Sequence, residues 1–377
     1  MEQENILYEN EFIDNIELNK QIKENESLHP YFEYSFKGIK PKNYCGFLSI
    51  NNQSYFIAPK ITTTDTQNLN IFIYMLIYAY DIKLKNENLT QGEMQKYNIL
   101  EIFIKLFADK LLNELKKGLF KQYITLEENL KVLRGKYIIE KNFNNFYHQN
   151  IYCEFDEFSM DNELNRFFLY AIRFLKKFCT YSNLHRCEAI LDEVTYFNID
   201  YRRLNIKFNR MSNRYQQSYK MALMLLKKLV PMTQKSSDDS FAFLFKMNEV
   251  FEKFVGKLYQ ELDDSTILQK QGNYGSLILR PDIYRDSLII DTKYKKINER
   301  KDLSVQDKYQ MFIYGVNFGI KNTMLLYPKY IENIDDNLEL GKGENLINLK
   351  MRSLDLDFNG GYSGFIEEMR NRIKELI

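Results

Sequence analysis

Two carboxylates and a lysine stand close together in the stretch LRPDIYRDSLIIDTKYKKI, residues 279–297: Asp282 directly follows Pro281, and Asp291 and Lys293 close an apolar run. Residues two apart on a β-strand project from one face, so Asp291 and Lys293 would share a face while Thr292 points away. GSLILRPDIY and DSLIIDTKYKKI read as two strands joined by the turn-like RDS, which sets Asp282 on the neighbouring strand of a hairpin. Hydrolysing a phosphodiester requires an activated water, a Lewis acid to offset developing negative charge, and a cation near the scissile phosphate. Asp282 and Asp291 converging on Mg²⁺, which prefers oxygen ligands and keeps several waters, with Lys293 alongside, would supply these parts. The same residues also fit a plainer arrangement, Asp282 as a turn residue and Asp291 paired with Lys293 at the surface, and a bare Asp-x-Lys does not separate the two.

The elements that must position this hairpin follow from periodicity. FAFLFKMNEVFEKFVGKLYQEL reads as one helix, with Phe245, Val250, Phe254 and Leu258 among its apolar positions and Glu252 among the polar ones. VQDKYQMFIYGVNFG makes a second helix, and NTMLLYP a further strand ending at Pro328. Upstream, YCGFLSINNQSYFIAPKI reads as a hairpin turning at NNQ and closed by Pro59. NIFIYMLIYAYDIKL and YNILEIFIKLFADKLLNELKKG carry helical spacing, the latter with Gly118 at its C-terminal cap. Residues 118–143 return to extended structure, and QNIYCEFDEF pairs back on them across a tip near Tyr147–Gln149. A helix with Asp161 as its N-cap and Leu164, Phe168 and Ile172 on one stripe follows. Polar turn residues from Pro231 to Ser240 mark the main boundary. The expected division is 1–160, β-rich and helical; 161–235, helical and basic; and 236–377, a mixed α/β domain carrying the acids.

Net charge is +1 over 377 residues, so nucleic acid would have to be met by a local patch. One such patch exists: between Arg202 and Lys235 there are nine Lys or Arg and no Asp or Glu, a solvated face or a phosphate-contacting surface. The 28 Tyr and 28 Phe accompany many Lys, Asn and Ile, which points to codon bias more than to base stacking. Four cysteines without Cys-x-x-Cys spacing imply reduced thiols. With no basic and apolar leader, and no apolar stretch long enough to span a bilayer, a cytoplasmic location without a membrane partner is expected. GKGENL at Gly341 lacks the spacing of a phosphate-binding loop, so nucleotide is expected to bind elsewhere.

RPDI and IIDTKYK, set between an acidic helix and DKYQMFIYG, resemble the PD-(D/E)XK nuclease core, and specifically the C-terminal domain of the McrC family, the nuclease subunits of McrBC modification-dependent restriction systems. GFLSINNQSYFIAPKI, FIYMLIYAYDI, KGLFKQYITLEENLKVLRGKYI and FDEFSMDNELNRF resemble successive blocks of the family's N-terminal and middle regions, so the likeness runs from about Gly46 to Pro328. It implies a multidomain α+β and α/β chain: an N-terminal β-containing partner-binding region, a helical middle region and a C-terminal restriction-endonuclease-like core. It matches Asp282 and Asp291 to the metal-binding acids, Lys293 to the catalytic lysine, Glu252 to a further acid on the first core helix that joins the metal set, and Gln310 to the glutamine of the second helix. Glu249 competes with Glu252, and Tyr309 and Tyr314 are expected to pack the helix on the sheet. The implied function is Mg²⁺-dependent cleavage of methylcytosine-containing double-stranded DNA, coupled to a McrB-like AAA+ GTPase hexamer that binds the GTP and whose hydrolysis the chain stimulates. The alternatives are a non-catalytic activator of such a ring with a vestigial nuclease core, and a free-standing repair nuclease. The hairpins with tips near Tyr147–Gln149 and around Asn51 are each a candidate for a finger entering the ring or a plain solvent loop, and Arg134 and Lys136, which flank a turn, either reach the partner's active site or face water, so no residue acting on the partner is assigned.

Overall fold

YCGFLSI and QSYFIA fold into antiparallel strands Tyr44–Ile50 and Gln53–Ala58, turning at Asn51 with φ +49°, a backbone conformation that Asn tolerates well. In the computed structural model, which describes residues 6–51, 53–59, 61, 65–82, 99–146, 149–232, 240–297 and 300–376, this hairpin lies inside a five-stranded sheet. The strand on its other side is Phe241–Lys246, antiparallel to Tyr44–Ile50, so FAFLF is not the start of the helix that periodicity suggested. A short continuous apolar run fits a buried strand as well as a buried helix, and here pairing decides. The helix proper is Met247–Leu262. Gly46 permits the junction: it has φ +142°, and a Cβ there would lie 2.1 Å from Phe243 O.

Because of that pairing, contacts divide the chain into residues 1–100 with 228–377, and residues 101–227. This differs from the three-part division expected at 160/161 and 235/236. Residues 233–239, most of the expected boundary, lie outside the described residues.

The first unit also holds a six-stranded sheet in the order Ile267–Leu268, Ile283–Arg285, Leu288–Thr292, Asn322–Pro328, Ile347–Leu354, Asp335–Leu340. Leu288–Thr292 pairs antiparallel with Ile283–Arg285 and parallel with Asn322–Pro328. A parallel neighbour needs a long crossover, and helix Val305–Phe318 is part of it. Ser304 caps that helix by accepting from Asp307 N, and Gly319 ends it in the left-handed region at φ +71°. Ile289, Leu325, Tyr327, Leu349 and Met351 form one core with Met311 and Tyr314 of the helix. The two strands and the helix after Pro328 were not foreseen.

In the second unit, Gln122–Leu130 pairs antiparallel with Ile151–Ser159, which also holds the two-residue strand Lys136–Tyr137. Extended structure gives way at Ile139–Phe143 to a short helix, and Tyr147 and His148 of the expected tip lie outside the described residues. Helix Glu163–Leu175 buries Leu164, Phe168 and Ile172 as its periodicity requires. Its cap is Asn162, one residue later than expected, accepting from Asn165 N. Asp161 instead receives Arg166 Nε and Nη2, both at 2.7 Å, and the Thr195 backbone N–H and hydroxyl at 3.0 and 2.8 Å. Among the described residues no helix is long and apolar enough to cross a membrane.

The bonds from Arg166 above all, against a smaller opposing effect of burial, hold the Asp161 carboxyl down from 3.8 to about 2. A depressed native value means stabilisation that is fully present above the ordinary carboxylate range and lost as pH falls through the native value. Asp161→Ala should therefore cost about 1.5–3 kcal/mol at neutral pH, as loss of charge-assisted bonds does. Thermal denaturation between about pH 4 and pH 2 should show the gap between the two proteins closing as the acid is titrated.

Candidate active site

The strand Leu288–Thr292 buries its first three residues and then delivers Asp291, only 2% exposed, to the end of the sheet. The ladder runs one residue further, since Lys293 N donates to Leu326 O at 2.9 Å. Alternation therefore carries through: Ile289, Asp291 and Lys293 face the layer of helix Val305–Phe318. Lys293 Nζ lies 2.6 Å from Asp291 Oδ2, and its directed hydrogen bond goes to Gln310 Oε1 at 2.8 Å. Gln310 Nε2 donates in turn to Asp291 Oδ1 at 3.3 Å and to Tyr314 Oη at 2.9 Å, and Tyr314 donates to Arg280 O at 3.2 Å. The glutamine thus clamps both members of the ion pair, and the tyrosine fixes the glutamine. Among the described residues Asp291 Oδ2 has no partner besides the Lys293 ammonium.

Asp282 sits opposite Asp291 by extension of the hairpin register, where Ile283 pairs with Ile290. Its Oδ2 accepts from both Thr292 N and Thr292 Oγ1 at 2.7 Å. Thr292, which alternation turns away from Asp291, is the clamp for the first acid. Burial, then the charge of Asp282, push the Asp291 carboxyl up to about 7, with Lys293 opposing both. Burial works against the Lys293 ammonium, but the carboxylates of Asp291, Asp307 and Asp282 outweigh it and hold its pKa above the ordinary lysine value. Lys293 is therefore a fixed cation at neutral pH.

Glu252 faces the same centre from helix Met247–Leu262: burial and then the Asp282 charge raise its pKa, while its Oε1 accepts from Gln269. Glu249 instead pairs with Lys228 at 3.1 Å, which favours Glu252 as the helix acid. One residue that the sequence did not single out belongs to the cluster. Asp307, 6% exposed, lies 3.9 Å from Lys293 and 2.7 Å from Lys295, so it supports the lysine from the helix side. It stands three residues before Gln310, the spacing that places two side chains on one helix face, and that was the signal available. Tyr314 is buried as expected, but Tyr309 is 64% exposed and does not pack the helix on the sheet.

Among the described residues no three or more His, Cys, Asp or Glu side chains gather into a ready-made metal cage. Mg²⁺ does not need one, since it is commonly held by one or two carboxylates together with waters and substrate phosphate. Asp282 and Asp291, mutually repelling acids with a charge-balanced buried oxygen between them and the lysine, fit such an ion, and Glu252 stands behind them on its glutamine.

The family model for the McrBC 5-methylcytosine restriction system component matches residues 39–328. No curated protein matches the chain. Among solved structures, a chain of the refined half-complex from the tetradecameric assembly of Thermococcus gammatolerans McrB AAA+ hexamers with bound McrC is similar over 99% of both chains, at 21% identity and a TM-score of 0.62. A chain of the cryo-EM McrBC complex of the same organism is 25% identical, over 67% of this chain and 86% of that one, with a TM-score of 0.48. The first likeness is one of fold, and the family match covers well over half of the sequence. The chain therefore belongs to the family of McrBC 5-methylcytosine restriction system components.

Proposed function

We propose that the chain is the Mg²⁺-dependent endonuclease subunit of a McrBC-like system, with a PD-(D/E)XK core that cleaves methylcytosine-containing double-stranded DNA. The observation that carries this reading is the Asp291–Lys293–Gln310 cluster, with Asp282 directly before the adjoining strand Ile283–Arg285. Asp282 and Asp291 would hold the ion, each already fixed by its own partners, Thr292 for one and Lys293 with Gln310 for the other. Bound there, Mg²⁺ supplies Lewis acidity toward the phosphate and its attacking water. Lys293, kept charged by its acidic neighbours, offsets the negative charge that develops on the scissile phosphate. Gln310 holds the lysine to one position, so little reorganisation is needed during reaction.

The partner in this reading is a McrB-like AAA+ GTPase hexamer, which supplies the nucleotide site and the reading of the modified base. The fold likeness to a complex of McrB hexamers with bound McrC supports it, and so does the surface of residues 101–227. Val132, Ile139, Phe143 and Phe146 of that unit are 74, 62, 84 and 94% exposed, large apolar side chains available to a partner. Arg134 and Lys136 are engaged on their own sheet, by Glu157 at 3.3 Å and Glu154 at 3.7 Å, and are not read as reaching the partner's nucleotide.

Cleavage of methylated plasmid by the chain with its ring partner, GTP and Mg²⁺ should fall by at least about 100-fold in Asp291→Asn and in Lys293→Ala, and vanish with chelator, while stimulation of GTP hydrolysis persists. Undiminished cutting by both variants would leave only the activator role. Phe143→Asp combined with Phe146→Asp should weaken ring binding by at least about tenfold. The melting curve of the variant should hardly change, since neither ring is buried in the free chain.

A further inference from the structure

Residues 191–212 connect helix Ser182–Ile190 to the helical turn at Asn213–Tyr215 without any helix or strand. Connections longer than about 12–15 residues with no element of their own are uncommon in compact domains, and when ordered they usually carry function. This one is pinned from the inside. The Tyr201 ring meets Tyr170 at 6.3 Å, Phe208 lies edge-on to Tyr219 at 5.3 Å, and the Tyr219 hydroxyl donates to Leu204 O at 3.5 Å. From Leu204 to Asn209 half-buried and exposed residues alternate, with Leu204, Ile206 and Phe208 the half-buried set and Asn205, Lys207 and Asn209 the exposed one. The segment behaves as an extended edge with one anchored face.

Its outer face is basic. Arg202, Arg203, Lys207 and Arg210 are all exposed, and no Asp or Glu occurs from Tyr201 to Met232. Arg203 meets only Asp200, at 3.4 Å, with the arginine 90% exposed; the other three have no carboxylate partner among the described residues. Arg214 is different, because its guanidinium is given to the carbonyls of Lys117 and Gly118 at the end of helix Ile99–Leu115.

We propose that this outer edge is a track for the phosphate backbone of double-stranded DNA, with Arg202, Arg203, Lys207 and Arg210 as its contacts. The proposal rests on the reading that the chain acts on DNA, but concerns binding alone. DNA is favoured over a protein partner because protein interfaces, although they take up arginine, are depleted of lysine and mix both signs of charge at their rims, whereas no Asp or Glu interrupts this edge and DNA interfaces are strongly positive, taking phosphate contacts from arginine, lysine and asparagine alike. The intervening Asn205 and Asn209 fit the same chemistry.

The test uses the full-length chain, a fluorescein-labelled DNA duplex and EDTA to prevent cutting, with anisotropy followed at rising KCl. The triple variant Arg202→Ala, Lys207→Ala, Arg210→Ala should lose at least about tenfold in affinity irrespective of sequence, and the slope of log K against log salt should shrink by about 2–3. Arg202→Lys with Arg210→Lys should retain the wild-type slope. An unchanged slope in the triple variant overturns the proposal. So does a wild-type chain that leaves the duplex free, or a triple variant that binds DNA normally and loses only its ring partner. Cleavage with Mg²⁺, measured separately, fails or survives independently of these outcomes.

Discussion

A carboxylate as deeply buried as Asp291 remains ionised only while positive charge is held against it, because desolvation otherwise drives it to the neutral acid. Lys293 supplies that charge, and nearly every nearby feature keeps the lysine in place. The strand ends one residue before it, so its backbone still joins the ladder while its side chain reaches the open end of the sheet. The crossover helix, capped by Ser304, brings Gln310 to the pair and Asp307 behind it.

A second constraint acts at longer range. Phe241–Lys246 pairs with Tyr44–Ile50 and runs directly into helix Met247–Leu262, the helix that carries Glu252. The N-terminal hairpin and the acid-bearing helix are thereby parts of one folded body, and a glycine at position 46 is what lets the two strands approach. Tyr294, next to Lys293, also donates to the buried Glu9 at 2.5 Å, tying the strand that ends in the lysine to the N-terminal region.

Much of this was legible from residue spacing. Period-two alternation put Asp291 and Lys293 on one face, but GSLILRPDIY is not one strand: Leu277–Leu279 pairs with Gly272–Tyr274 in a sheet of its own, and Asp282 stands in the bend just before the short strand Ile283–Arg285. Helix Val305–Phe318 was readable from its apolar stripe, and its terminal glycine marks the end. What escaped has physical reasons. FAFLF is apolar at every position, so its own pattern fits strand and helix alike and does not reveal the pairing that joins the N-terminal hairpin to the segment leading into helix Met247–Leu262. Asp161 and Asn162 are both good caps, and the choice between them depends on Arg166 and Thr195, the latter distant in sequence. Tyr309 looked like a packing residue, because exposure depends on which helix face meets the sheet, and the same unknown hid Asp307. Thr292 as the clamp of Asp282 required knowing that the first acid bends toward the next strand's backbone.

The central claim is that Asp282 and Asp291 together hold one divalent ion beside Lys293. The most direct measurement is an anomalous difference map from a crystal of the chain grown with Mn²⁺. The account predicts a single strong peak at the end of strand Leu288–Thr292, within ligand distance of both carboxylates and absent from Asp282→Asn. A map with no peak there, or with Mn²⁺ bound only at other carboxylates, would contradict it.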